Sequence, residues 1–203
     1  MNKPFWEASY KDDNISTFGT EPNQSIKEHE HLFKKAWRIL EIGCGEGKNP
    51  LYLANKGFSD INAFDLSENG IAKLSKAASK RGLSVNAWVQ DLRSFQFEKQ
   101  YDLIISIGTL HFVEKCDWSS LLLRAKENTN IGGIHIINIF TNSVPASPDI
   151  VDFAVGLADD KEIETLYHDW TILESKSYTF EDEHPGVQKH IHSCNRIVAQ
   201  RTV

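Results

Sequence analysis

Leu40-Glu41-Ile42-Gly43-Cys44-Gly45-Glu46-Gly47 joins a short apolar run, Ile39 to Ile42, to a helix-compatible run, Asn49 to Lys56. A buried strand, a tight glycine turn and a helix start, in that order, predict the opening unit of an α/β sheet. Glycine permits φ > 0 and lets a ligand approach the backbone closely. The unpaired N–H groups at the helix start add partial positive charge. Such a turn suits a nucleotide-like ligand. Its spacing departs from the dinucleotide pattern G-x-G-x-x-G, because the third glycine falls one residue early and Lys48 takes the sixth position. A glycine turn that serves only packing is the plainer alternative.

Upstream of that turn, residues 1–24 hold Phe5, Trp6, Tyr10 and the run Phe18-Gly19-Thr20-Glu21-Pro22-Asn23. Proline and glycine predict a loop-rich arm, either packing its aromatics on the core or closing as a lid. Ser25 to Lys35 reads as a helix with Ser25 as N-cap and Glu28 completing a capping box. The Glu28-His29-Glu30-His31 run on it reads as a solvated face.

Downstream, Asp60 to Phe64, Val85 to Val89, Tyr101 to Ile107 and Ile134 to Phe140 read as further strands. Helices alternate with them: Asn49 to Lys56, a second capped by Ser67 and running to Arg81, a third from Asp117 to Asn128. The fourth strand is nearly all apolar, as in strands covered on both faces. A loop with Pro145 and Pro148, a short helix at Asp160 to Tyr167, and two extended segments, Trp170–Phe180 and His190–Arg201, finish the chain. Those two segments, joined through His184-Pro185-Gly186, predict an antiparallel hairpin. The expected fold class is therefore α/β, a doubly wound, mostly parallel seven-stranded sheet with a C-terminal hairpin. One domain over residues 1–203 is expected, divided into an arm or lid (1–24), a cofactor-binding core (25–140) and a substrate-side portion (141–203).

The 203 residues suffice for one sizeable core. A formal charge of −6, with no basic stretch longer than a pair such as Lys34-Lys35, argues against a nucleic-acid partner. No apolar run approaches the roughly 20 residues that span a bilayer, and the first residues lack a signal-peptide apolar region. Three scattered cysteines imply neither a disulfide framework nor a CxxC metal site. The expected setting is cytoplasmic, with no membrane partner.

Ligands of open α/β sheets sit beyond the carboxyl ends of the strands. Gly43, Gly45 and Gly47 follow the first strand. Asp65 follows the second, about 20 residues on, where a carboxylate accepts the hydroxyls of a ribose. Asp91 follows the third and is placed to accept from an adenine amino group. Ser106-Ile107-Gly108 follow the fourth, with His111 and Phe112 just beyond.

The run Glu41-x-Gly43-x-Gly45-x-Gly47, with Asp65 and Asp91, resembles the motifs of class I S-adenosylmethionine-dependent methyltransferases over residues 37–140. Cys44-Gly45-Glu46-Gly47-Lys48-Asn49-Pro50-Leu51-Tyr52-Leu53-Ala54 is similar to the corresponding run of TehB-type tellurite-resistance methyltransferases. Asp65-Leu66-Ser67, Gln90-Asp91-Leu92 and Tyr101-Asp102-Leu103-Ile104 continue the likeness. The arm, with Trp6-Glu7-x-x-Tyr10, resembles that of thiopurine-type small-molecule enzymes. The resemblance implies a Rossmann-like methyltransferase fold and S-adenosyl-L-methionine as cofactor. It makes the three glycines the methionine-side loop, Asp65 the ribose ligand, Asp91 the adenine ligand, and Leu66 and Leu92 the flanks of the adenine. Tyr10, His111 and Phe112 would border the cleft, with Glu41, Asn49, Ser106 and Ile107 completing the cofactor set. Beyond Phe140 the likeness thins to a Trp-containing strand, a later histidine and a basic final strand.

Methyl transfer asks a site to orient a nucleophile and exclude water. A soft thiolate or selenolate needs no strong base, whereas an amine or hydroxyl does. His111, His184, His192 and Arg196 are the candidate catalytic side chains, with His190 and Tyr10 as further candidates. In an extended strand His190, His192, Cys194 and Arg196 share one face, suited to an anionic substrate. A metal set of His190 and His192 with His184 or Cys194 is chemically allowed, but it ranks below a substrate-facing hairpin and no metal is expected. His135, inside an apolar strand, reads as a satisfied core histidine. The expected function is methyl transfer to a small-molecule acceptor, a thiol or a selenium- or tellurium-oxyanion-derived species, by a monomer or homodimer. An NAD(P)-linked oxidoreductase and a non-catalytic nucleotide-binding module are the alternatives; the first lacks the dinucleotide fingerprint and a Tyr-x-x-x-Lys pair.

Overall fold

The computed structural model describes residues 4–184 and 187–202. The predicted alternation appears as β1 (Arg38–Ile42), α3 (Lys48–Asn55), β2 (Asp60–Asp65), α4 (Glu68–Lys80), β3 (Asn86–Val89), β4 (Tyr101–Ile107), α5 (Lys115–Glu127) and β5 (Thr129–Phe140). Two short helices, α1 (Phe5–Ser9) and α2 (Gln24–His29), precede it; α6 (Glu162–Leu166), β6 (Thr171–His184) and β7 (Val187–Gln200) follow. One seven-stranded sheet runs β3-β2-β1-β4-β5-β7-β6. The first five strands pair in parallel, and β7 lies antiparallel between β5 and β6. The expected fold class holds. The predicted hairpin link at Pro185-Gly186 lies outside the described residues.

Strand alternation divides the core between the two faces of the sheet. Leu40, Ile104, Ile137 and Ile139 pack on one face with Trp118, Leu121 and Leu122 of α5. Ile39, Leu103, Ile105 and Ile136 pack on the other with Leu53 of α3 and Ile26 of α2. Ser67 caps α4 as predicted, its hydroxyl accepting the Gly70 N–H at 3.0 Å.

Two local expectations are corrected. The helix expected with Ser25 as N-cap is capped two residues earlier, at Asn23, whose N–H is pinned by Asn49 Oδ1 at 2.9 Å. Ser25 lies inside the helix and forms no capping box with Glu28. The helix ends at His29, where the chain tightens into a 3₁₀ turn over Glu30–Leu32. The arm is also not all loop: Phe5–Ser9 is helical, held by aromatic contacts made across the crevice rather than by local propensity. Among the described residues no helix is long and apolar enough to cross a membrane, and all three cysteines are free thiols.

Candidate active site

A crevice of about 1500 Å³ opens where β1 to β4 end. Its centre is the glycine turn. Gly43 stands at φ 73°, and a Cβ there would lie 2.1 Å from Thr109 Oγ1, which itself donates to the Gly43 carbonyl at 3.2 Å. A Cβ on Gly45 would fall 2.5 Å from the Tyr10 hydroxyl. No side chain fits at either position, so the backbone itself forms the wall.

Strand β2 clamps this turn from the side. The Gly43 and Cys44 N–H groups both donate to the Phe64 carbonyl, at 2.8 and 3.0 Å. Asp65 Oδ2 accepts the Gly45 N–H at 2.7 Å, and its Oδ1 accepts the Ser67 N–H at 2.8 Å. Burial pushes the Asp65 carboxyl up from its ordinary value, and these N–H groups oppose the rise. Each oxygen keeps a further lone pair for a ligand hydroxyl. At the end of β3, Asp91 is gripped through both oxygens by Arg93, which holds its carboxyl below the usual range.

Glu41, on β1 below the turn, is buried. Its Oε1 accepts Asn49 Nδ2 at 2.7 Å, whereas Oε2 has no hydrogen-bond partner. Desolvation raises its pKa to about 8. A buried carboxylate oxygen without a donor, on a residue that borders the crevice, fits the ammonium of an amino-acid ligand. With the glycine wall and two strand-end aspartates, the residues fit an aminoacyl nucleoside such as S-adenosylmethionine.

The arm roofs the crevice. Trp6 packs against Phe112 (5.1 Å between centroids) and Phe153 (6.1 Å), and Phe5 stacks on His184 at 4.8 Å. Glu46 fastens the arm down: its Oε1 accepts the Thr17 N–H at 2.6 Å, and its Oε2 pairs with Lys73 at 2.7 Å.

Of the predicted cofactor residues, Tyr10, Glu41, Gly43, Gly45, Gly47 and Asn49 border this crevice, as do Asp65, Leu66, Asp91, Leu92, Ile107 and Phe112. So do His184 and His192 among the predicted catalytic ones. Three residues are placed elsewhere. Ser106 is wholly buried and donates to the Ile42 carbonyl at 3.2 Å, bracing β4 against β1. His111 is also wholly buried; both ring nitrogens lack partners, the ring stacks on Phe140 at 4.3 Å, and desolvation lowers its pKa to about 3. A neutral, inaccessible imidazole does not meet a substrate. Arg196 is enclosed by Glu28, 3.1 Å from Nη2, and Glu174, 2.5 Å from Nε, and does not border the crevice. The expected alternation of His190, His192, Cys194 and Arg196 along β7 is kept, the strand pairing with β6 in unbroken register from Asp182 opposite His190 to Lys176 opposite Arg196. The face is not open to an anion along its length, since the Cys194 thiol turns to Asn138 and the Ile139 carbonyl and glutamates hold Arg196.

Sequence reasoning missed Glu46, Lys73 and Asp149. Nothing local marks Asp149, which sits in the proline-punctuated loop yet comes within 3.5 Å of His192. The aromatic walls contributed by Phe140, Phe153 and Phe180 were also unread; aromatics in strands and loops carry no sign of which side they face.

The family model described as "Tellurite resistance protein TehB" matches residues 13–199. A Haemophilus influenzae protein named "Probable S-adenosyl-L-methionine-dependent methyltransferase TehB" is 31% identical over 137 residues, 68% of this chain and 47% of that protein. A ubiquinone biosynthesis O-methyltransferase of Rickettsia typhi is 27% identical over 123 residues, 61% of this chain and 48% of its own length. The chain thus spans about half the length of the curated relatives it matches. Among solved structures, TehB from Haemophilus influenzae superposes with a TM-score of 0.79 at 24% identity, covering 89% of this chain and 63% of that one. The N-methyltransferase NodS from Bradyrhizobium japonicum, in complex with S-adenosyl-L-homocysteine, superposes with a TM-score of 0.66 at 16% identity, covering 97% and 96%.

Proposed function

Because the chain belongs to the TehB family of tellurite-resistance proteins, we propose that it is an S-adenosylmethionine-dependent methyltransferase acting on a small-molecule acceptor. The acceptor class is a thiol or a selenium- or tellurium-oxyanion-derived species. One observation carries the reading: Glu41, the glycine turn, Asp65 and Asp91 border a single crevice at the ends of consecutive strands. When bound, the cofactor supplies a methyl group activated on a sulfonium.

The chain's own residues do the rest. Glu41 and the glycine-turn N–H groups hold the aminoacyl end, Asp65 the ribose, and Asp91 with Leu66 and Leu92 the adenine. Trp6, Phe112 and Phe153 on the arm and the facing loop exclude water from the reacting centre, which strengthens the electrostatics inside. His184 and His192 face the acceptor side and orient an anionic group there. Free cysteines support a cytoplasmic setting, and a net charge of −6 supports the absence of a nucleic-acid partner.

Calorimetry with S-adenosylmethionine, S-adenosylhomocysteine and NAD tests the cofactor; NAD binding without adenosylhomocysteine binding overturns the reading. Methyl-transfer assays over thiols, selenite, tellurite and small amines test the acceptor. Turnover confined to the amines removes the soft-acceptor part and leaves the enzyme class intact.

A further inference from the structure

Three side chains from separate parts of the last third meet at the acceptor end of the crevice. His190 and His192 occupy alternate positions of β7, and Asp149 comes from the loop after β5. His190 Nε2 lies 3.0 Å from His192 Nε2 and 3.2 Å from Asp149 Oδ2, and His192 Nε2 lies 3.5 Å from the same oxygen. All three side chains are at least nine-tenths buried, at 6%, 3% and 2% exposed for His190, His192 and Asp149.

Hydrogen bonds behind each ring fix what faces the centre. His190 Nδ1 is 2.6 Å from the Gln188 carbonyl, which can only accept, so Nδ1 carries the proton and Nε2 a lone pair. The Ser147 hydroxyl donates its one proton to Asp149 Oδ1. Its oxygen therefore accepts from His192 Nδ1, 3.2 Å away, and leaves the His192 Nε2 lone pair free as well. Two nitrogen lone pairs and a carboxylate oxygen thus converge on one point. A single proton bridges one edge of this triangle and leaves the third atom facing another lone pair. A cation at the centre satisfies all three.

The dimensions come close to those of a metal site. Zinc bonds imidazole nitrogen and carboxylate oxygen at about 2.0–2.2 Å, so tetrahedral ligands lie roughly 3.3–3.6 Å apart. Of the three edges here, 3.5 Å falls inside that range, and 3.2 and 3.0 Å lie just below it, so an ion at the centre spreads the three groups slightly. Oriented imidazoles backed by a carbonyl and by a hydroxyl–carboxylate relay are the usual outer support of metal-bound histidines.

We propose that Asp149, His190 and His192 form a binding site for a divalent transition metal of the zinc class, with a remaining coordination position turned to the crevice. Two nitrogens and one oxygen suit zinc or cobalt(II), not magnesium or calcium, which take oxygen ligands. Asp182 and His184 stand beside it, with ligand atoms within 4.8 Å of each other and of His190. His192 and Asp149 both border the crevice that Asp65 and Asp91 border. The remaining position accordingly takes an anionic sulfur or oxygen atom of the acceptor, a role that rests on the methyltransferase reading; the metal site itself does not.

The test uses the full chain stripped with a chelator and no methyl donor present. Titration with zinc chloride by calorimetry is expected to give one ion per chain at micromolar Kd or tighter, and cobalt(II) to develop the visible absorption of a low-coordinate nitrogen and oxygen site. H192A and D149N weaken zinc by about 100-fold or more, and S147A by about 10- to 100-fold, as for an outer-shell partner. H168A, at an exposed histidine, leaves binding unchanged. Should H192A fail to fold, the wild-type cobalt spectrum and S147A still decide. Absence of stoichiometric metal, or equal affinity in wild type, D149N and S147A, overturns the proposal. Adenosylhomocysteine affinity is measured on the same metal-free chain. Binding of it without zinc uptake removes only the metal site; zinc uptake without it keeps the site and removes its acceptor role.

Discussion

Asp65 Oδ2 and the Gly45 N–H meet at 2.7 Å, so the carboxylate at the end of β2 braces the glycine turn it also faces across the crevice. Asp65 is thereby part of the wall before any ligand arrives. Removing it takes a partner from two backbone donors, Gly45 N–H and Ser67 N–H. D65A is expected to lower stability by about 2–4 kcal/mol and to weaken adenosylhomocysteine by roughly 100-fold. Asp91 is more exposed, and Arg93 already neutralises its charge, so D91A weakens binding by only about tenfold with stability nearly unchanged. Thermal unfolding and calorimetry on both variants check the order; equal losses for the two contradict it.

Glu41 gives a pH signature. Its pKa, raised to about 8 by desolvation, means that the folded protein keeps a proton that the unfolded chain releases above pH ~4.5. Stability contributed by this group therefore falls as pH rises from about 4.5 to about 8, by ~1.4 kcal/mol per pH unit. E41Q flattens that segment of the stability–pH curve. At pH 7 an ammonium brought against Oε2 favours the ionised form, so ligand binding releases a proton. Calorimetry in two buffers of different ionisation enthalpy detects the release in wild type and its loss in E41Q.

Much of this site was legible because its signals are local. The glycine turn, Asp65 at its distance from the glycines, and the Ser67 cap each depend on neighbours a few residues away or on one βαβ unit, and the structure places them there. Arg196 was not legible, since its partner Glu28 lies 168 residues away in sequence and only the packing of α2 against β7 brings them together. His111 and Asp149 fail for the same reason: a 3₁₀ turn and an irregular loop have no periodicity that tells the inward side from the outward one. Pro22 and Gly19 point to a loop only at the far end of the arm, while the helix at Phe5–Ser9 owes its order to Phe112, Phe153 and His184 far along the chain.

Glu46 joins the arm to the glycine turn, and its ion pair with Lys73 is largely shielded, the two side chains being 8% and 12% exposed. E46A breaks both the pair and the bonds to the Thr17 and Phe18 N–H groups. Breaking one side of a buried pair costs about 3–5 kcal/mol; water reaching the edge of the arm reduces this to roughly 2–3. The arm then opens more often. Limited proteolysis is expected to cut within residues 10–22 faster than in wild type, and stopped-flow displacement to show adenosylhomocysteine leaving about tenfold faster. Unchanged cleavage and dissociation would mean that the aromatic contacts alone hold the arm.

His135 separates a structural histidine from a functional one. Thr129 Oγ1 donates to the Ala125 carbonyl at 2.7 Å, so it accepts from His135 Nε2, also at 2.7 Å. His135 Nδ1 is then a lone pair and accepts the Tyr167 hydroxyl at 2.8 Å. Both nitrogens are satisfied in the neutral ring, and desolvation lowers its pKa to about 3. The unfolded chain takes up a proton below pH ~6.5 that the folded chain refuses. Stability from this group is complete above that pH and is lost as pH falls toward 3, at ~1.4 kcal/mol per pH unit. Y167F leaves the Nδ1 lone pair buried without a donor and costs about 1–3 kcal/mol at pH 7. Tyr167 packs against α5, away from the crevice, so adenosylhomocysteine affinity should not move. Chemical denaturation at pH 7 and at pH 5, with a binding isotherm at pH 7, checks both halves; a binding loss as large as the stability loss would give Tyr167 and His135 a role in the site.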